Sequence, residues 1–179
     1  MTWGQPGRLT VLGREVHHYR IAEGELTPEL EEFLRNSVHW TRFPNGRRHA
    51  LFSKDPRQSY AFGGQTLRSQ GWPPILDQLA DAMISQARVS GNSLCLNWYP
   101  DGSGVGYHRD DELEIDDPLL ASLSVGHPAD FDFCESGMRP VRVPLVHGDL
   151  LVFDGRLRHR VSAPISTNGP GERFNISLR

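Results

Sequence analysis

The chain has 179 residues, a length that suits one domain with a real core and leaves little room for two. A net charge of −3 argues against a generic polyanion binder, and 37% hydrophobic content with 18 Gly and 13 Pro describes a β-rich domain with many turns. Two cysteines, no apolar h-region at the N-terminus and no apolar run near the ~20 residues a bilayer requires point to reduced thiols, a cytoplasmic location and no membrane partner.

Val11 to Ile21 reads as a strand or hairpin that turns at Gly13. Thr27, then Pro28 and a first turn with acids, predicts a capped helix from about Pro28 to Asn36. Residues 38–72 are rich in Arg, Gly and aromatics and promise short strands at best. Charge is segregated: Arg42, Arg47, Arg48, Lys54, Arg57 and Arg68 face a single acid, Asp55, whereas Asp110 to Asp117 holds six acids and no base. Such stretches read as solvated loops, or, for the basic one, as phosphate contacts. Pro73-Pro74 opens a second helix, in which Ile75, Leu76, Leu79, Met83 and Ile84 recur at helical spacing.

After Ser90-Gly91-Asn92 the pattern changes to short strands: Leu94 to Tyr99, Val105 to His108, Ala121 to Val125, Phe131 to Phe133, Val141 to Leu145, Leu150 to Phe153, His159 to Ala163 and Phe174 to Leu178. His147-Gly148-Asp149 is a turn between two of them. No internal repeat is visible. Helices at the front and many closely spaced strands behind predict a mostly β fold with flanking α, an antiparallel double-sheet jelly roll (double-stranded β-helix) with the N-terminal helices packed outside.

His108-Arg109-Asp110 and His159 carry the most chemistry. Two imidazoles and one carboxylate are the set that holds non-haem Fe(II) on one face and leaves the other face open. In an extended segment His108 and Asp110 point to the same side and Arg109 points away. Asp111 is the competing carboxylate but faces the other way, and His147 is the competing imidazole but sits in a turn. Any one of the eight histidines taken alone is more simply a surface or hydrogen-bonded residue.

Arg173, Asn175 and Arg179 share one face of the last strand by even spacing. Turned inward, the two cations require anionic partners, and a chelating dicarboxylate would supply them through bidentate contacts. Turned outward, they form surface salt bridges over a buried Phe174, Ile176 and Leu178. The pattern alone leaves both orientations open.

Seven segments in order carry a family resemblance: Leu94-Cys-Leu-Asn-Trp-Tyr-Pro, His108-Arg-Asp-Asp-Glu112, Ala121-Ser-Leu-Ser-Val-Gly126, Phe131-Asp-Phe133, Val143 to Phe153, His159-Arg-Val161 and Arg173-Phe-Asn-Ile-Ser-Leu-Arg179. Over about residues 45–179 the chain resembles the AlkB family of Fe(II)/2-oxoglutarate dioxygenases, oxidoreductases that remove alkyl groups from nucleobases in DNA and RNA repair. The resemblance implies iron ligands at His108, Asp110 and His159, and contacts to 2-oxoglutarate from Asn97, Tyr99, Arg173, Asn175 and Arg179, which turns the arginine row inward. It also implies an aromatic lid from Tyr60-Ala-Phe62 to Trp72, with Phe62 stacking on the extruded base, Tyr60 near the phosphate or pocket, Arg48 as a lid arginine, and Glu112 near the exocyclic group of the base.

The implied organisation is a single domain, 1–179. Residues 1–40 form an extension, 41–72 a nucleotide-recognition lid and 90–179 the jelly-roll core. Fe(II), 2-oxoglutarate and O2 are the implied cofactors. The implied activity is oxidative dealkylation of 1-methyladenine- or 3-methylcytosine-type bases with release of formaldehyde, succinate and CO2, by a monomer. Two departures stand out. The stretch from Phe153 to His159 is short for the family, and so is the one from Phe133 to Val143, where a duplex-gripping insertion occurs in some members. Both favour single-stranded DNA or RNA as partner. The same core would also serve a hydroxylase or demethylase of a protein, lipid or small molecule.

Overall fold

The computed structural model describes residues 1–44, 46–62, 64–100, 103–110, 118–163 and 171–179, apart from the Phe62 side chain. In chain order the elements are β1 (Gly7–Val11), β2 (Arg14–Arg20), α1 (Pro28–Asn36), β3 (Thr41–Arg42), β4 (Arg48–Ser53), β5 (Ser59–Phe62), β6 (Gln65–Arg68), α2 (Pro74–Ala87), β7 (Ser93–Tyr99), β8 (Val105–His108), β9 (Leu119–Gly126), β10 (Ala129–Phe133), β11 (Val141–Leu145), β12 (Asp149–Asp154), β13 (His159–Val161) and β14 (Arg173–Leu178). Eight strands form a large sheet in the order β1-β2-β12-β9-β14-β7-β4-β3. Four form a small sheet, β11-β10-β13-β8, and β5-β6 is a separate hairpin. The strands pair antiparallel, and the two sheets pack as the expected jelly roll.

Local sequence explains the joints. Leu12 and Gly13 both have positive φ, 53° and 77°, the geometry of a tight hairpin turn between β1 and β2. The first helix has the expected bounds and begins at Pro28 after Thr27 in extended conformation, although the Thr27 side chain makes no cap bond. The second ends on Arg88 in the left-handed region, whose N–H bonds Ile84 O.

Three layers result. Leu30 and Leu34 of α1 and Leu76, Leu79 and Met83 of α2 pack with Leu94, Leu96, Leu123, Phe174, Ile176 and Leu178 on the outer face of the large sheet. Between the sheets lie Val16, Leu120, Phe131, Phe133, Val143, Leu151 and Phe153. Consequently β14, in the middle of the large sheet, is buried on both faces: all six of its residues are inaccessible or nearly so. Phe174, Ile176 and Leu178 meet the helices, and Arg173, Asn175 and Ser177 point between the sheets.

The stretch 38–72 is more ordered than its composition suggests. Six-residue β4 pairs with β7 from Arg48↔Trp98 to Ser53↔Ser93 and is almost wholly buried. Of the segment expected as a lid, β3 and β4 therefore belong to the large sheet, and Ser59–Phe62 pairs with Gln65–Arg68 as the hairpin. Tyr60 and Leu67 of that hairpin pack against Phe43, Leu51 and Cys95. No helix among the described residues is long and apolar enough to cross a membrane.

Ile176→Ala tests the layering. Ile176 has no accessible surface and lies in the helix-facing cluster. Truncation is expected to cost about 2–5 kcal/mol in urea unfolding, and a loss under about 1 kcal/mol would contradict this packing.

Candidate metal and co-substrate site

The inner face of the large sheet carries rows of polar side chains, one residue from each strand. His49, Asn97, Asn175 and Ser124 are successive cross-strand partners on β4, β7, β14 and β9. Asn97 Nδ2 donates to Asn175 Oδ1 (3.2 Å). Asn175 Nδ2 donates to Ser122 Oγ (2.6 Å), and Ser177 Oγ donates to Asn175 Oδ1 (2.9 Å). In the next row Tyr99 pairs with Arg173. These groups are held by backbone register on four rigid strands, which is what preorganisation requires.

The small sheet brings up the other wall. His108 and His159 are direct cross-strand partners on β8 and β13, with ring centroids 4.3 Å apart. Asp110 follows two residues after His108. The candidate ligand atoms of His108, Asp110 and His159 all lie within 4.8 Å of one another, a donor set able to hold a metal ion. His108 Nδ1 lies 2.9 Å from Gly106 O, and His159 Nδ1 lies 2.8 Å from Leu157 O. A carbonyl only accepts, so each Nδ1 carries the proton and each Nε2 keeps a lone pair for the site. Those Nε2 atoms stand 3.7 and 3.8 Å from the Asp110 carboxylate oxygens. His159 is walled in by Phe131, stacked at 5.2 Å, and by Phe153, edge-on at 4.9 Å.

Electrostatics agrees with that protonation. Burial pushes His159 down to about 4 despite the opposing pull of Asp110, so the imidazole is neutral near pH 7. Burial works against ionising Asp110, but Arg179, His159 and His108 outweigh it and hold the carboxyl below its ordinary range. A neutral His159 and an ionised Asp110 fit a divalent cation.

The two arginines differ in role. Arg179 Nη2 is 3.1 Å from Asp110 Oδ2, and its Nη1 donates to Tyr60 Oη at 3.1 Å. It therefore connects the metal carboxylate to the β5-β6 hairpin. Arg173 has no accessible surface. Its guanidinium lies over the Tyr99 ring at 5.4 Å, and Nη2 donates to Ser124 Oγ at 2.8 Å. Its Nε and Nη1 are buried without a hydrogen-bond partner among the described residues. Burial lowers its pKa. Unpaired N–H groups on a buried cation are costly in themselves and fit a carboxylate partner.

Of the residues expected at the site, His108, Asp110, His159, Asn97, Tyr99, Asn175, Arg179 and Tyr60 line one cavity, and Arg173 occupies the next inward position on β14. Arg48 does not join them. It lies on the opposite face of the sheet, 4.1 Å over the Trp98 ring, because side chains alternate along β4. Its neighbours Arg47 and His49 point into the cavity instead. Reading 47–53 as a strand would have found them. Glu112 lies outside the described residues, as does the competing Asp111, and the Phe62 side chain is not described. His147 is remote from the site, with Nδ1 accepting from Gly126 N.

The 2OG-Fe(II) oxygenase superfamily matches residues 14–179 of this chain. The chain is 33% identical over 174 residues to the DNA oxidative demethylase ALKBH2 of Homo sapiens, an alignment covering 87% of this chain and 66% of that protein. The Mus musculus protein of the same name is 34% identical, with 87% and 72% covered. The alpha-ketoglutarate-dependent dioxygenase alkB homolog 3 of Mus musculus is 29% identical over 154 residues, covering 76% of this chain and 52% of that protein. The chain thus spans only part of each relative's length. The solved structure of OsALKBH1 superposes with a TM-score of 0.62 at 17% identity, covering 92% of this chain and 97% of that one, which is a likeness of fold.

A pH dependence follows from His49. Burial, then Arg47, Arg179 and His108, push this imidazole from 6.5 down to about 3. The unfolded chain binds that proton more readily, so folding stability falls as pH drops from 6.5 toward 3. His159 acts in the same direction. In urea unfolding of metal-free protein between pH 7 and 4.5, each histidine is expected to contribute a slope of up to about 1.4 kcal/mol per pH unit. His49→Gln should remove one such contribution, and an unchanged slope in that variant would refute the assignment.

Proposed function

Because the chain belongs to the AlkB family within the 2OG-Fe(II) oxygenase superfamily, we propose that it dealkylates nucleobases oxidatively in DNA or RNA, using 2-oxoglutarate and O2. The substrates are bases of the 1-methyladenine and 3-methylcytosine type, preferably in single strands. Formaldehyde, succinate and CO2 are the products. The observation that carries the reading is the convergence of the His108-Asp110-His159 cluster with a buried, under-paired Arg173 behind the same inner face. The relative named as a DNA oxidative demethylase supports a nucleic-acid substrate.

In this reading His108, Asp110 and His159 would hold Fe(II), which together with 2-oxoglutarate and O2 would supply the oxidising chemistry. The protein's own residues do the rest. The Gly106 and Leu157 carbonyls keep each Nε2 unprotonated and free to donate its lone pair. Arg173 and Arg179 orient the two ends of the dicarboxylate, with Asn97, Tyr99 and Asn175 fixing its position between them. Phe131 and Phe153 keep water from the His159 side.

The base reaches the site past the β5-β6 hairpin, where Tyr60 already touches Arg179. Phe62 stacks on the base and Glu112 meets its exocyclic group, roles that rest on the family resemblance. Extruding a base costs a few kcal/mol, least in a single strand, and stacking returns about 1–3 kcal/mol per base. Arg42, Lys54, Arg57 and Arg68 provide phosphate contacts. The short connection from Phe133 to Val141 supports the preference for single strands.

Mass spectrometry of methylated oligonucleotides, single- and double-stranded, after incubation with iron, ascorbate and 2-oxoglutarate is the direct test. Single strands are expected to lose the methyl group faster, Asp110→Ala to abolish the loss, and Phe62→Ala to lower it about tenfold or more, the equivalent of one base stack. Succinate production without demethylation of any oligonucleotide would contradict the base-directed reading, and activity in Asp110→Ala would contradict the metal assignment.

A further inference from the structure

We propose that the turn Gly155-Arg156-Leu157 is a preset cradle for the metal ligands, and that Arg109, the spacer between His108 and Asp110, is a positioning residue that locks it. The inference rests on the metal-site reading above and goes beyond it by assigning what fixes the ligands before the ion arrives.

Three successive carbonyls of the turn each hold a different part of the ligand set. Gly155 O accepts from Asp110 N at 2.9 Å. Arg156 O accepts from Arg109 Nε at 3.0 Å. Leu157 O accepts from His159 Nδ1 at 2.8 Å. One short segment thus sets the backbone of the carboxylate ligand, the spacer and the tautomer of the second imidazole.

The turn is itself rigid. Asp154 accepts from Arg156 N at 2.9 Å and from both arms of the Arg156 guanidinium, and its carbonyl accepts from Leu157 N at 2.9 Å. Gly155 must be glycine: an added Cβ would stand 2.6 Å from Asp110 O and 3.3 Å from Asp110 Cβ. The turn therefore approaches the ligand as closely as backbone allows.

Arg109 closes the arrangement from outside. Its Nη2 pairs with Glu135, whose other oxygen accepts from Arg158 N at 3.3 Å, next to His159. The chain Arg109–Glu135–Arg158 ties the His108-Asp110 segment to the His159 strand. Taken as a surface pair, with side chains 39% and 30% exposed, Arg109–Glu135 adds little to folding stability. Taken as a lock, it governs metal affinity, since loss of an outer partner of a metal ligand typically weakens binding 10–100-fold.

The two roles separate in one experiment. Co(II) is titrated into the metal-free full chain and followed by its visible ligand-field absorption, alongside thermal unfolding of the metal-free protein. Arg109→Met is expected to weaken Co(II) binding at least tenfold and alter the band, with little change in the metal-free melting temperature. Glu135→Gln should weaken it less. Arg142→Met, which removes an arginine that is 54% exposed and paired with Asp130 and Asp132 of the same sheet, should leave affinity unchanged. Wild-type affinity and spectrum in Arg109→Met, or equal weakening in Arg142→Met, overturns the proposal. Should Arg109→Met unfold, Arg109→Lys decides, because an ammonium on a flexible stem lacks the rigid pair of N–H donors that Arg156 O and Glu135 share: intermediate affinity supports the lock and wild-type affinity overturns it. Failure of the wild-type chain to bind Co(II) would instead overturn the metal-site reading, and this inference with it.

Discussion

A guanidinium with no solvent-accessible surface, that of Arg173, is the constraint around which the molecule is arranged. An ion in a protein interior requires partners, and no acidic side chain pairs with this one among the described residues. Tyr99 offers a ring face and Ser124 one oxygen. The unpaired donors that remain fit an anion from outside, the place the proposed dicarboxylate would take. Stability has been traded for binding at that point.

The layered architecture makes such a position possible. A central strand covered by helices on one face and by a second sheet on the other can bury an apolar row and a polar row at once. In β14 the apolar row anchors the helix layer, and the polar row joins Asn97, Ser122 and Ser124 into a hydrogen-bonded floor. The small sheet then needs only to supply the metal ligands, and it does so with two histidines opposed across one strand pair. The proposed co-substrate anchors and the candidate metal ligands come from different sheets. Their spacing is fixed by the apolar packing between the sheets, chiefly Phe131, Phe133 and Phe153.

Much of this was legible in the chain. Both helices, the β1-β2 turn and the later strands follow from caps, prolines, periodicity and Gly-containing turns, and the ligand triplet declares itself by the even spacing of His108 and Asp110. The orientation of the last strand was not legible, because alternation indicates one buried face and β14 has two. Strand β4 was obscured for a related reason. Arg47, Arg48 and His49 look like solvated loop residues, yet two are buried in a polar cavity and the third lies over Trp98. Hydrophobic pattern reports burial only where burial is apolar. The consequence is specific: Arg48, expected beside the substrate, faces the helix side, and its neighbour Arg47 faces the cavity.

The most direct measurement of the central claim is anomalous diffraction from crystals grown anaerobically with Mn(II) and 2-oxoglutarate. One metal peak is expected, bound by Nε2 of His108, Nε2 of His159 and the Asp110 carboxylate, with a ligand carboxylate hydrogen-bonded to the Arg173 guanidinium. A metal bound elsewhere, coordination through Nδ1, or a dicarboxylate that leaves the Arg173 guanidinium untouched would contradict it.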